Sequence, residues 1–116
     1  MNAVYVYVYL LFIHFIADFV CQSDWIAQNK SRNIDALINH IAIYFTVLLL
    51  MTVGDNILWV FINSFAHFAI DFVTSKINAR LWREKKVHQF FVSIGFDQFL
   101  HTALLLLTWR LTCTPG

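Results

Sequence analysis

The chain is poor in charge, cysteine, glycine and proline, and the shortages narrow what it can be. Asp, Glu, Lys and Arg together make up only 13% of its 116 residues, against 59% hydrophobic and 17% aromatic. With a positive mean hydropathy as well, that balance is wrong for a soluble domain of this size and reads as a membrane protein. The net charge of +1, with the basic residues gathered in two places instead of along one face, argues against a nucleic-acid surface. Among three glycines and a single proline there is no phosphate loop, no nucleophile elbow and no Ser-His-Asp spacing. The two cysteines, Cys21 and Cys113, form no metal motif. The topology below sends them toward opposite sides, so each is expected as a small apolar filler and not as half of a disulfide. The first hydrophobic stretch has no Lys or Arg before it and no small-residue cleavage site, so a retained span is expected there, not a cleaved signal.

What the chain does contain is a heptapeptide used twice. His14-Phe-Ile-Ala-Asp18-Phe-Val20 returns as His67-Phe-Ala-Ile-Asp71-Phe-Val73, identical at five of seven positions. On a helix, a histidine and an aspartate four residues apart lie on one face, one turn apart. A third pair, Asp97-Gln-Phe-Leu-His101, has the same spacing in reverse order.

Four apolar stretches are long enough to cross a bilayer, at about residues 3–22, 36–53, 57–74 and 89–111. The alternation Val4-Tyr5-Val6-Tyr7-Val8-Tyr9 is also a strand pattern, but a lone strand cannot satisfy its backbone in lipid, so a helix is expected. Asp35 can cap the second span, and Gly54-Asp55-Asn56 forms a tight turn that makes spans two and three antiparallel neighbours. The polar segments 23–35 and 75–88 carry seven of the eight basic residues, leaving Arg110 on the other side. The positive-inside rule then places both segments in the cytoplasm and both termini outside. The second segment, with Ile77, Leu81 and Trp82, reads either as an interfacial helix or as an extension of span three. The expected fold is all-α: a single integral membrane domain over residues 1–116, a four-helix transmembrane bundle built as two repeated hairpins.

This topology explains the reversed third pair. Spans one and three run inward and span four runs outward, so Asp18, Asp71 and Asp97 fall at one level, with His14, His67 and His101 one turn deeper. His40 enters near the level of the aspartates. Ionisable groups at the bilayer centre cost about 2.5–3.5 kcal/mol each on insertion scales, and three readings supply a compensating term. In the first, His14, Asp18, His40, His67, Asp71, Asp97 and His101 are ligands or their supports for one or two divalent metals, zinc first, with manganese or iron as the alternatives. One of Asp18, Asp71 and Asp97 then acts as base in a hydrolysis, and Lys30, Asp24, Gln22 and Gln98 meet an anionic or lipid-like substrate. In the second, the pairs are structural and Asn39, Asn63, Ser64 and Gln98 join helices as polar glue. In the third they form a proton or ion path, disfavoured because the outer half is nearly devoid of relay groups. The phenylalanines around each motif (Phe12, Phe15, Phe19, Phe65, Phe68 and Phe72) read as lipid-facing or packing residues, and His88 is out of register with the site.

His14 to Lys30, with His40, Asn63 to Asp71 and Phe96 to His101, resembles a family of short membrane proteins of bacteria and their phages known only as a domain of unknown function. The resemblance covers nearly the whole chain and implies the bacterial inner membrane, multi-pass, without implying an activity. A more distant likeness, of residue type and topology, is to membrane-bound metal-dependent hydrolases. Phage origin raises the alternative of a non-enzymatic protein that interferes with the host membrane, although a lesion-forming holin needs no buried ligand cluster. Faces left free on so small a bundle leave homo-oligomerisation open.

Overall fold

A computed structural model describes residues 2–112. Among them the chain forms α1 (Ala3–Phe15), continued by a π-helical turn (Ile16–Val20), α2 (Asp24–Asn29), α3 (Ile34–Met51), α4 (Ile57–Arg83) and α5 (Val87–Thr112). The α1 segment with its π turn and helices α3, α4 and α5 are each long and apolar enough to cross a membrane, so the chain is a multi-pass membrane protein. The alternating Val-Tyr stretch is helical, as the unmet backbone of a lone strand in lipid requires. The expectation for Cys113 lies outside the described residues, while Cys21 is exposed and not packed as filler.

Short polar side chains set the helix starts. Asn2 caps α1 by accepting from the Val4 N–H at 2.8 Å, and Ser23 caps α2 by accepting from Ile26 at 3.2 Å. At α3 the cap is Asn33, whose side chain accepts from the Asp35 N–H at 2.9 Å, and not Asp35 itself. The helix begins one residue ahead of Asp35, which leaves that carboxylate in the first turn, where it favours the positive end of the helix dipole. Asn56 ends the tight turn by accepting from Trp59 at 3.1 Å while donating to Thr112 at 2.9 Å. One feature goes beyond the sequence reading, and another decides between its two alternatives. Segment 23–35 contains α2, which seats Ile26 in the interior. Helix α4 runs on to Arg83 without a break; at about 1.5 Å per residue it is longer than the roughly 30 Å of hydrocarbon, and its Lys76, Arg80 and Arg83 are gathered toward one end.

Helix α1 packs against α3 and α5, and α4 packs against the same two, so α1 and α4 lie on the diagonal of the bundle. The two heptapeptides therefore face each other across the centre. One half is apolar, built from Leu10, Ile13, Ala17, Tyr44, Leu48, Trp59, Val60 and Leu105. It is pinned by the Trp59 indole N–H donating to the Leu105 carbonyl at 2.9 Å and by Asn63 donating to Thr108 at 2.8 Å. The other half, toward the basic segments, holds the buried histidines and aspartates. Outward, Phe12, Phe15, Phe19, Phe65 and Phe72 are exposed, Phe65 by 75%, as suits a surface in contact with lipid tails.

Candidate metal centre

Four ligand atoms from two helices and the π turn converge on one point. They are Nε2 of His40 (α3), Nε2 of His67 (α4), Oδ2 of Asp71 (α4) and Oδ1 of Asp18, the last delivered by the π turn at the end of α1. All four residues are buried, and their ligand atoms lie within 4.8 Å of one another. His40 Nε2 is 3.0 Å from His67 Nε2, 3.0 Å from Asp18 Oδ1 and 3.4 Å from Asp71 Oδ2. His67 Nε2 is 3.3 Å from each of the same two oxygens. A tetrahedral ion with bonds of about 2.0–2.1 Å has ligand-to-ligand edges of about 3.3–3.4 Å, so the five edges that involve an imidazole stand near the spacing of such a site. Neutral imidazoles can place at most one hydrogen on each Nε2, and two carboxylates place none, so lone pairs dominate the point where the atoms meet.

Asp71 joins this group to a second one. Its Oδ1 accepts from His101 Nε2 at 3.0 Å, which is also 3.3 Å from Asp97 Oδ1; these three residues are again within ligand spacing of each other. Thr74 donates to Asp97 at 2.5 Å. The Nδ1 atoms of His67 and His101 face each other at 3.0 Å. His14 stands apart from both groups. Its Nε2 donates to the Gln98 side-chain oxygen at 3.0 Å and its Nδ1 accepts from the Tyr44 hydroxyl at 3.1 Å. Both ring nitrogens are then used by neutral partners, and the Asp18 carboxylate stands 3.5 Å off. Gln98 uses its amide nitrogen to reach Asp18 at 3.2 Å and Asp97 at 3.1 Å.

A cavity of about 560 Å³ lies on the basic-segment side of the cluster. Asp18, Asp97 and Gln98 line it beside Gln22, Lys30 and Asn78, with Phe19, Trp82, Phe90, Phe91 and Ile94 as apolar wall. The side-chain oxygens of Gln22 and Asn78 are buried there without a hydrogen-bond partner. Lys30 Nζ stands 3.5 Å from Asp71 Oδ2. Asp24 is exposed on the first turn of α2 and does not line the cavity, and His88 is exposed on the first turn of α5.

The family model for DUF3307, a protein of unknown function, matches residues 6–115. The chain belongs to this family. No curated protein and no solved structure matches it. In this DUF3307 member the site also draws on residues that the sequence reading passed over. Tyr44 stacks on the His67 ring at 4.1 Å, tilted by 7°, besides holding His14. Its signal was available, since it lies four residues after His40 and so on the same helical stripe. Thr74, three residues after Asp71, carried the same kind of signal. Asn78 and Trp82 did not, because their place on the cavity wall depends on α4 continuing past the expected end of span three.

Proposed function

We propose that this protein is a membrane-embedded, metal-dependent hydrolase acting on a phosphorylated or lipid-like substrate that enters from the basic, cytoplasmic end. The convergence of His40, His67, Asp18 and Asp71 at 3.0–3.4 Å carries the reading. Two imidazoles and two carboxylates suit zinc, with manganese or iron as the other candidates, and such an ion supplies hydroxide from water near neutral pH. Two carboxylates against neutral imidazoles leave a charge of minus two that a dication cancels, which removes much of the cost of keeping the group inside a membrane. Asp97 lies outside the four-atom group and lines the cavity, so it is placed to take a proton as general base. Lys30 and Gln22 on the wall give a phosphate headgroup its polar contacts, Gln98 being committed to Asp18, Asp97 and His14, while Phe19, Phe90, Phe91 and Trp82 suit an acyl or prenyl tail. Loops rich in Lys and Arg at this end support placing it on the cytoplasmic face of a bacterial inner membrane, with both termini outside.

The test is metal content of the detergent-purified protein by plasma mass spectrometry, beside a His67→Ala variant shown to be helical. Stoichiometric zinc, manganese or iron that disappears in the variant supports the reading and leads to a screen of phosphoesters and lipid phosphates. Absence of metal, even after reconstitution with each candidate, removes the hydrolase.

A second reading is favoured by Lys30, whose ammonium stands 3.5 Å from the Asp71 oxygen that faces the four-atom group. The protein thus brings a cation of its own to the site. Under that reading the cluster is structural or handles protons and the protein is not an enzyme; a metal-free, fully folded bundle is the result that selects it.

A further inference from the structure

We infer that the two ligand groups are alternatives and not a pair: the centre is mononuclear, and His101 is a positioning residue that sets the tautomer of His67. The inference rests on the metal reading above and deepens it. Six ionisable side chains in two groups that share Asp71 invite a dinuclear assignment, with Asp71 Oδ2 facing one group and Oδ1 the other. The contact between His67 Nδ1 and His101 Nδ1 at 3.0 Å opposes it.

A neutral imidazole carries one hydrogen. An ion bound at Nε2 uses that nitrogen's lone pair and leaves the hydrogen on Nδ1. Loading both groups at once would put a hydrogen on both Nδ1 atoms, two donors meeting head-on at hydrogen-bond distance in a buried site. Loading the four-atom group alone removes the conflict. His67 then donates from Nδ1 to His101 Nδ1, and His101 carries its hydrogen on Nε2, where Asp71 Oδ1 accepts it at 3.0 Å and Asp97 Oδ1 lies at 3.3 Å. Every hydrogen in this chain has an acceptor. The His67 lone pair at Nε2 points to where His40, Asp18 and Asp71 also present theirs. Metal-bound histidines are commonly oriented by such an outer hydrogen bond to a carboxylate or carbonyl; here a second imidazole stands between the carboxylates and the ligand. Loading the three-residue group instead reverses the chain and offers one imidazole in place of two. His40 has no comparable support, since its Nδ1 is buried without a partner, so the orientation of the imidazole pair rests on the His67 side.

The test uses the full chain in detergent, loaded with zinc, with metal counted per chain and the imidazole nitrogens followed by long-range proton–nitrogen spectra. One ion per chain is expected, with the hydrogen on Nδ1 of His67 and on Nε2 of His101. Two ions per chain, or a metal-bound His101 Nε2, overturns the inference and leaves the metal reading standing; no bound metal overturns both. A pair of variants separates positioning from packing. His101→Leu fills the space without accepting from His67 and should weaken zinc about 10–100-fold with one ion still bound at saturation. His101→Asn offers an amide oxygen near the Nδ1 position and should recover part of that loss. Equal loss in the two variants shows that no acceptor is needed there and overturns the assignment.

Discussion

The same heptapeptide does two different jobs at the two ends of the bundle's diagonal. In α4 it stays a regular helix. His67 sits at the centre of the cluster, one nitrogen toward His40, Asp18 and Asp71 and the other toward His101. In the α1 copy the chain widens into a π turn over Ile16–Val20, Asp18 still reaches the convergence point, and His14 is turned to Tyr44 and Gln98. π turns of this kind often occur at functional sites. Both aspartates thus reach the convergence point, but of the two histidines only His67 does. Neighbours decide the difference: Gln98 of α5 and Tyr44 of α3 occupy both nitrogens of His14, whereas those helices present His101 and His40 to His67.

The comparison breaks or sharpens under substitution. The largest effect is expected from Asp71→Asn, which weakens the convergence point and the acceptor for His101 together. Stoichiometric metal should be lost while circular dichroism still reports a helical bundle, and retention of a full equivalent of metal would remove Asp71 from the site. Next, His67→Ala should lose metal outright, whereas His14→Ala should keep it at one equivalent and lose stability instead. Leaving Tyr44 and Gln98 without their partner costs about 1–3 kcal/mol, visible as a lower unfolding midpoint in detergent. Equal metal loss in both variants would make the copies equivalent after all. Tyr44→Phe should be milder, at about 1 kcal/mol for the lost hydroxyl bond to His14, because the stacked ring over His67 is retained. The smallest shift is expected from Lys30→Met. Its side chain is 22% exposed at 3.5 Å from Asp71, so removing a screened competing cation should tighten divalent metal by a few-fold in a competition titration. Weaker binding in that variant would give Lys30 a supporting role at the centre in place of a competing one.

Much of this was legible along the chain. The four spans follow from runs of apolar residues too long for a soluble core, and the shared level of the three pairs follows from alternating helix direction combined with the reversal of Asp97 and His101. Asn33 as the α3 cap and the unbroken α4 were harder to read, because Asn, Asp and Ser compete as caps and a basic amphipathic segment fits both an interfacial helix and an extension. The division of labour between His14 and His67 could not be read from the heptapeptide, which is nearly the same in both places.

The sequence by itself determined which residues would be buried against their chemical preference and at which turn of each helix, since spacing along a helix and the count of apolar residues are local quantities. Only the tertiary structure decided what each buried group meets. It set α1 and α4 on the diagonal, brought Tyr44 and Gln98 to one histidine and His40 and His101 to the other, and left a cavity beside the aspartates. Those pairings depend on helix rotation and on contacts between residues some thirty to eighty positions apart, and whether an imidazole nitrogen donates or accepts depends on the partner it faces.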